Sequence, residues 1–223
     1  MATQEKEIPK ADDLAGLSAE QLLRFYRTML TSRRIDEREI NLRKQNKTFF
    51  QISSAGHEAI GVAIADHCRP GNDWFFTHYR DRSLVLALGQ TPLDHFLAAV
   101  GAEADPATGG RQMPCHFSDV HLNIASSSSA VATQFLQAVG AAEASTKISR
   151  VPGLRDLVPS FDEDQIVLVC GGEGQTSEGE FWESLNTACN LSLPVVFVIE
   201  DNEYAISVPV EVQTAGGSIS KLV

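Results

Sequence analysis

Two short polar stretches carry the residue types best suited to chemistry, Gly171-Gly172-Glu173-Gly174 and Glu200-Asp201-Asn202. Glu173 and Asn202 offer a carboxylate and an amide oxygen, the hard donors that magnesium prefers. The glycines beside Glu173 let the backbone approach an anion closely, and a helix opening after them presents free N–H groups. A metal held by Glu173 and Asn202 could in turn hold a phosphate. Each stretch follows an apolar run, 166–170 and 195–199, the first as expected of a strand buried on both faces. Between them, Phe181, Leu185, Ala188 and Cys189 have helical spacing. Strand, loop, helix, strand predicts a βαβ unit with parallel strands and a right-handed crossover. Ligands of such sheets bind beyond the carboxyl ends of the strands, where both polar stretches fall.

Rival motifs fit less well. A dinucleotide fingerprint requires a third glycine where Ser177 stands, and a Walker A loop requires a lysine that is missing. A hydrolase nucleophile elbow at Ser177 requires glycine where Gln175 stands. A plain α/β turn carrying an incidental glutamate stays open on these residues alone.

The composition narrows the function classes. The 223 residues are 43% hydrophobic and 21% charged, enough to bury a real core. A net charge of −11 argues against a nucleic-acid partner. It also means that a bound diphosphate needs a metal ion or local donors to reverse the sign of the field. No apolar run is long enough for a membrane span, and the mixed-charge N-terminus fits neither a secretory signal nor a transit peptide, so cytoplasm is the default. The four cysteines are dispersed, as reduced and mostly buried thiols would be. The six histidines form no metal-ligand pair at helical spacing; His116 and His121 would lie on different helix faces.

The elements upstream must bring further groups to this edge. Residues 1–16 are polar and predict a loose arm. Ser18 and Gln21 form a capping box opening an amphipathic helix, and the charged stretch 33–47 predicts a solvated helix with internal ion pairs. Residues 56–68, 83–88, 92–100 and 134–145 read as helices, with a short apolar segment at 74–76 running into His78-Tyr79-Arg80-Asp81. Residues 101–123 show no periodicity, which in so long a segment marks function or mobility. By composition, the serine run 126–129 is a linker.

At Gly172-Glu173-Gly174 and Asp201-Asn202 the chain resembles the thiamine diphosphate motif, Gly-Asp-Gly followed at that interval by Asn-Asn. The surroundings, Gly-Gln-Thr-Ser-Glu-Gly-Glu-Phe and Glu-Asp-Asn-Glu-Tyr-Ala-Ile-Ser, resemble the alpha subunits of 2-oxoacid dehydrogenases. Tyr79-Arg80 is similar to that family's cofactor-binding pair. Gly110-Arg111-Gln112-Met113-Pro114 with His116, and Ala132-Thr133-Gln134 with Gln137-Ala138-Val139-Gly140, resemble the branched-chain, or 2-oxoisovalerate, branch. The resemblance runs from about Leu17 to the C-terminus. It implies an α/β fold, a doubly wound parallel sheet flanked by helices, built by residues 17–223 as one domain incomplete at its C-terminus.

Residue by residue, the resemblance implies magnesium ligands in Glu173, Asn202 and the backbone carbonyl of Tyr204. Tyr79 and Arg80 would contact the diphosphate, an arginine fork suiting phosphate geometry. Gly172, Gly174 and Gln175 would line it through backbone groups. Ser129 and Val131 fall where the family makes backbone contacts to the aminopyrimidine. Ser128, Ala130, Thr133 and Gln134 fall where branched-chain members hold potassium, which turns the apparent linker into a cofactor loop. The departures are Glu173 for the commoner Asp, Asp201 for the first Asn, Ala130 for a usual Pro, and Glu200 where some members have a diphosphate-binding Arg.

The implied function is oxidative decarboxylation of a branched-chain 2-oxoacid, an oxidoreductase step in branched-chain amino acid catabolism that acylates a lipoyl group. The implied partners are a beta subunit or fused beta domain, forming a heterotetramer, and a lipoyl-bearing acyltransferase. An activating glutamate is expected on the beta partner and a loop histidine beyond Val223, so the fragment alone is expected to be inactive. A chain stopping at Val223 would leave an unpaired sheet edge, which predicts a truncation or one piece of a fusion. Pyruvate or acetoin dehydrogenase alpha subunits, and a non-catalytic assembly fragment, are the alternatives.

Overall fold

A computed structural model describes residues 16–158 and 161–223. The arm expected at 1–16 therefore lies outside the described residues, apart from Gly16. In chain order the elements are α1 (Ala19–Lys44), α2 (Glu58–Ala65), β1 (Trp74–Phe76), α3 (Arg82–Leu88), α4 (Pro92–Ala99), α5 (Thr133–Arg150) and α6 (Leu154–Leu157). Then follow β2 (Val167–Gly172), α7 (Gly179–Leu191), β3 (Val195–Glu200), β4 (Tyr204–Ala205), β5 (Val208–Pro209) and α8 (Val210–Gln213). The capping box at Ser18 and Gln21 is formed, and Thr91 with Asp94 makes a second one before α4.

β1, β2 and β3 form a parallel sheet in that order. The expected βαβ unit is present as β2–α7–β3, and the apolar segment at 74–76 adds a third strand. All six residues of β2 are buried, as its unbroken apolar run predicts. Successive side chains point to opposite faces. Leu168 and Cys170 join Phe75 and Val198 under α2 and α3, while Val167 and Val169 join Phe76 under α5 and α7. Helices thus cover both faces, the doubly wound arrangement expected from the resemblance. Phe135 of α5 and Phe181 of α7 meet edge to face at 5.2 Å between centroids, beneath the sheet.

Two helices approach more closely than ordinary side chains allow. A Cβ on Gly61 of α2 would stand 2.2 Å from Ser83 Oγ and 2.6 Å from the Leu84 nitrogen of α3. Glycine lets α2 lie against the start of α3 and so fixes the segment that carries Tyr79 and Arg80.

The charged half of α1 departs from its expected solvated character. Ser32, Asp36 and Glu39 are buried. The guanidinium of Arg82, fully buried at the start of α3, lies between Asp36 at 3.4 Å and Glu39 at 2.5 Å. Asp36 also accepts from Gln51 and Ser53. Helical periodicity cannot reveal a partner 46 residues away, which is why these carboxylates read as surface groups. The exposed pair Arg34–Glu37 keeps the expected role.

Replacing Arg82 with Met should strand Asp36 and Glu39 as buried charges and destabilise the fold by about 3–5 kcal/mol, read from urea unfolding midpoints. His95 in α4 supplies a pH test. Burial first, then the charge of Arg82, pushes its pKa down from 6.5 to about 3. Its stability contribution is therefore complete above 6.5 and is lost as pH falls toward 3. His95→Gln should lose about 2 kcal/mol less stability than the wild type between about pH 7 and about pH 5.

Candidate functional site

The parallel register assembles the site. Gly172 pairs with Glu200 across β2 and β3, so Glu173 emerges beside Asp201 and Asn202. The chain then enters a short 3-10 turn, Glu173–Ser177, before α7 opens at Gly179. α7 covers Gly179–Leu191, where its helical spacing predicts it, and the 3-10 backbone lies between the glycines and its N-terminus. Gln175 folds its side chain inward. Its Oε1 accepts from the Gly172 N–H at 3.0 Å and from Gln134 Nε2 at 2.9 Å. A Cβ on Gly171 would lie 2.4 Å from the Phe135 ring and 2.5 Å from that Oε1, so the close glycine lets α5 and Gln175 brace the turn.

Glu173 is 1% exposed. Its Oε2 accepts from the Asn202 N–H at 3.3 Å, and among the described residues its Oε1 has no hydrogen-bond partner. A carboxylate oxygen buried without a partner costs several kcal/mol unless a cation or proton meets it. Asn202 Oδ1 accepts from the Tyr204 N–H at 3.1 Å and retains a second lone pair. Tyr204 begins the β4–β5 hairpin. That hairpin lies against Gly174, where a Cβ would stand 2.9 Å from Ala205 Cβ. The Glu173 carboxylate and the Asn202 amide oxygen are hard donors of the kind magnesium takes. Among the described residues no three His, Cys, Asp or Glu side chains cluster as a metal site, so a cation at Glu173 depends on neutral oxygens as well.

The loop after β1 lies against the loop after β2, His78 Nε2 standing 3.4 Å from the position of a Gly172 Cβ. Arg80 donates from Nη1 to the Ser53 carbonyl at 2.5 Å and stacks at 5.2 Å over the Tyr79 ring. Its buried Nε has no partner. His78 is held neutral, because burial, Arg80 and His57 push its pKa down to about 3.

Sequence reasoning missed a buried acidic pair beneath the site. Asp81 and Glu200 interact in the interior. Burial, and then the like charge of Asp81, push Glu200 up to about 9, while His57 and Arg80 pull it back. Burial raises Asp81 as well, opposed by bonds from Glu200, the His78 N–H and Cys170. Glu200 is therefore held neutral at pH 7 and adds no charge to the carboxyl edge of the sheet. His57 Nδ1 is 3.5 Å from Glu200 Oε2, and Ala55, Gly56, Asp201 and Asn202 line a cleft with them. The signal available in the sequence was a glutamate ending an apolar strand.

The serine run lies beside β1. Ile124 pairs with Phe75, the Ala125 N–H donates to the Phe75 carbonyl, and Ser127 Oγ is 3.1 Å from Thr77 Oγ1. Segment 116–119 runs back antiparallel, bridged through Asp119 and Ile124, Ser118 and Ser126, and His116 and Ser129. The stretch without periodicity is thus half of a hairpin-like loop. Ser128 Oγ accepts from the Ala130 N–H, and Thr133 donates to the Ala130 carbonyl, which gathers three of the four expected potassium ligands. The fourth, Gln134, turns its amide to Cys170 and Gln175 under β2. Val131 is half exposed, and Ala132 at a φ of 70° turns the chain into α5.

Comparison with known proteins follows this geometry. Residues 26–222 match the family described as "Dehydrogenase E1 component". The chain is 39% identical to the 2-oxoisovalerate dehydrogenase subunit alpha of Bacillus subtilis over 205 residues, 92% of this chain and 58% of that protein. It is 32% identical to the mitochondrial 2-oxoisovalerate dehydrogenase subunit alpha of Dictyostelium discoideum over 97% of this chain and 46% of that one. Against the 3-methyl-2-oxobutanoate dehydrogenase subunit alpha of Mycobacterium tuberculosis, identity is 33% over 92% of this chain and 49% of the relative. The chain spans about half the length of these relatives. With most of its length matched, the chain belongs to the dehydrogenase E1 component family.

Proposed function

We propose that this chain anchors thiamine diphosphate and magnesium in the alpha part of a 2-oxoacid dehydrogenase that acts on branched-chain 2-oxoacids. The observation carrying this reading is the partnerless, buried Oε1 of Glu173 at the carboxyl edge of the sheet, beside Asn202. The names of the relatives supply the substrate class. Residues 17–223 act as one cofactor-binding domain, preceded by an arm, 1–16.

Glu173, the Asn202 side chain and the Tyr204 carbonyl hold the metal, and backbone groups of Gly172, Gly174 and Gln175 line the diphosphate. Arg80, oriented by the Ser53 carbonyl and its stacking on Tyr79, brings a cation to a strongly acidic chain. Glu200, protonated against Asp81, spares the diphosphate a further repulsion. Ser129 and Val131 meet the aminopyrimidine, and Ser128, Ala130 and Thr133, with Gln134, hold potassium and keep that loop in place. When bound, the cofactor supplies the carbon nucleophile and electron sink for decarboxylation. The beta subunit contributes the activating glutamate, and the acyl group passes to a lipoyl-bearing acyltransferase. Four free cysteines, two of them buried, suit the reducing cytoplasm. Among the described residues no helix is long and apolar enough to cross a membrane.

In the full-length protein assembled with its beta partner, Glu173→Ala should abolish magnesium-dependent binding of thiamine diphosphate in a calorimetric titration. Unchanged affinity would refute the metal site. Decarboxylation of a panel of 2-oxoacids with an artificial electron acceptor should favour the branched-chain members; a preference for pyruvate would reassign the substrate.

A further inference from the structure

α1 packs on α2, α3 and α4, and it supplies none of the residues at the carboxyl edge of the sheet. Its buried Asp36 nevertheless reaches toward that edge through two sets of bonds. Oδ1 accepts from Gln51 Nε2 at 2.7 Å and faces Arg82 Nη1 at 3.4 Å. Oδ2 accepts from the Ser53 hydroxyl at 2.5 Å. That hydroxyl spends its one proton on Asp36 and accepts the Ala55 N–H at 3.2 Å, so the carboxylate shapes the turn at 51–55. The Ser53 carbonyl then accepts from Arg80 Nη1 at 2.5 Å. One carboxylate thus holds segment 80–82 twice, at Arg82 directly and at Arg80 through Ser53.

We propose that Asp36 is a positioning residue for the diphosphate, holding the 51–55 turn so that the Ser53 carbonyl aims the Arg80 guanidinium. The inference rests on the reading that Arg80 meets the diphosphate. The arrangement separates orientation from charge. A carboxylate bonded directly to Arg80 would fix the side chain and cancel its charge together. Asp36 has its own charge met by Arg82, and a neutral carbonyl hands on the orientation alone. The gain lies in pre-organisation. A free arginine gives up rotamer freedom when it meets a phosphate, whereas one fixed in advance has given it up on folding. Asp36 and the Ser53 hydroxyl act through Arg80 and touch no ligand themselves.

The test is a double-mutant cycle, read by calorimetric titration of thiamine diphosphate into the assembled full-length protein with magnesium. Arg80→Ala should weaken binding about thirtyfold, the scale of one hydrogen bond between charged groups. Ser53→Ala removes the hydroxyl and leaves the Asp36–Arg82 pair, and it should weaken binding about fivefold, a part of what Arg80 contributes. Ser53→Thr keeps the hydroxyl and should bind within about twofold of the wild type. In the Arg80→Ala background, Ser53→Ala should cost less than about twofold, because no guanidinium is left to aim. Asp36→Asn should follow the same pattern, and Ser53→Ala carries the test where Asp36→Asn fails to fold. A merely structural role would weaken binding by the same factor in both backgrounds. That result, or unchanged affinity in Ser53→Ala, overturns the proposal while the diphosphate site stands. Unchanged affinity in Arg80→Ala overturns the reading beneath it as well.

Discussion

The parallel register of three short strands is the constraint on which the rest of the structure depends. Placing Gly172 opposite Glu200 brings Glu173 to the Asn202 backbone, and placing Phe76 opposite Val169 brings the His78–Arg80 loop to the same edge. A shift of one residue would exchange Val167 and Val169 with Leu168 and Cys170 between the α5–α7 and α2–α3 faces, mismatching the packing of both cores. The hydrophobic pattern and the site therefore specify one another: the register that fills both cores is the register that aligns the loops. Glycines at 171, 172 and 174 permit this, because helix, histidine and hairpin all approach the turn at distances where a Cβ meets other atoms.

Charge is the second theme. An excess of acidic groups opposes binding of an anionic ligand, and the fold manages its carboxyls one by one. Asp36 and Glu39 are buried around Arg82, which ties α1 to the start of α3. Burial raises the pKa values of Asp81 and Glu200 beneath the carboxyl edge, so that Glu200 carries no charge there. Glu173 keeps an oxygen without a partner, at the place where a cation would be most useful. Arg80 is held next to this edge by a backbone carbonyl and an aromatic ring, which leaves its charge uncancelled by a carboxylate. The same residue type is thus used in three ways, and burial together with the nearest partner decides which.

The sequence by itself determined the local features. Apolar runs gave two strands, of which β2 is buried throughout and β3 is mostly half-buried; helical spacing gave α7, and Ser18 with Gln21 gave the start of α1, since each depends on residues a few positions apart. The pairing of Glu173 with Asn202 was also legible, because a βαβ unit leaves little choice about where its two loops meet. Tertiary structure alone decided the rest. The strand at 74–76 was too short to declare itself, and the loop 101–123 has no period because its order comes from a turn around Asp105 and from cross-bridges of 116–119 to 124–129. Glu39 looks like a surface group until Arg82 arrives from elsewhere in the chain, Glu200 meets Asp81 only in the fold, and Gln134 faces β2 because Cys170 and Gln175 need its amide. The physical reason is common to all of these. Hydrophobic period and capping are properties of neighbours in sequence, whereas burial, ion pairing and the state of a buried carboxyl are set by neighbours in space.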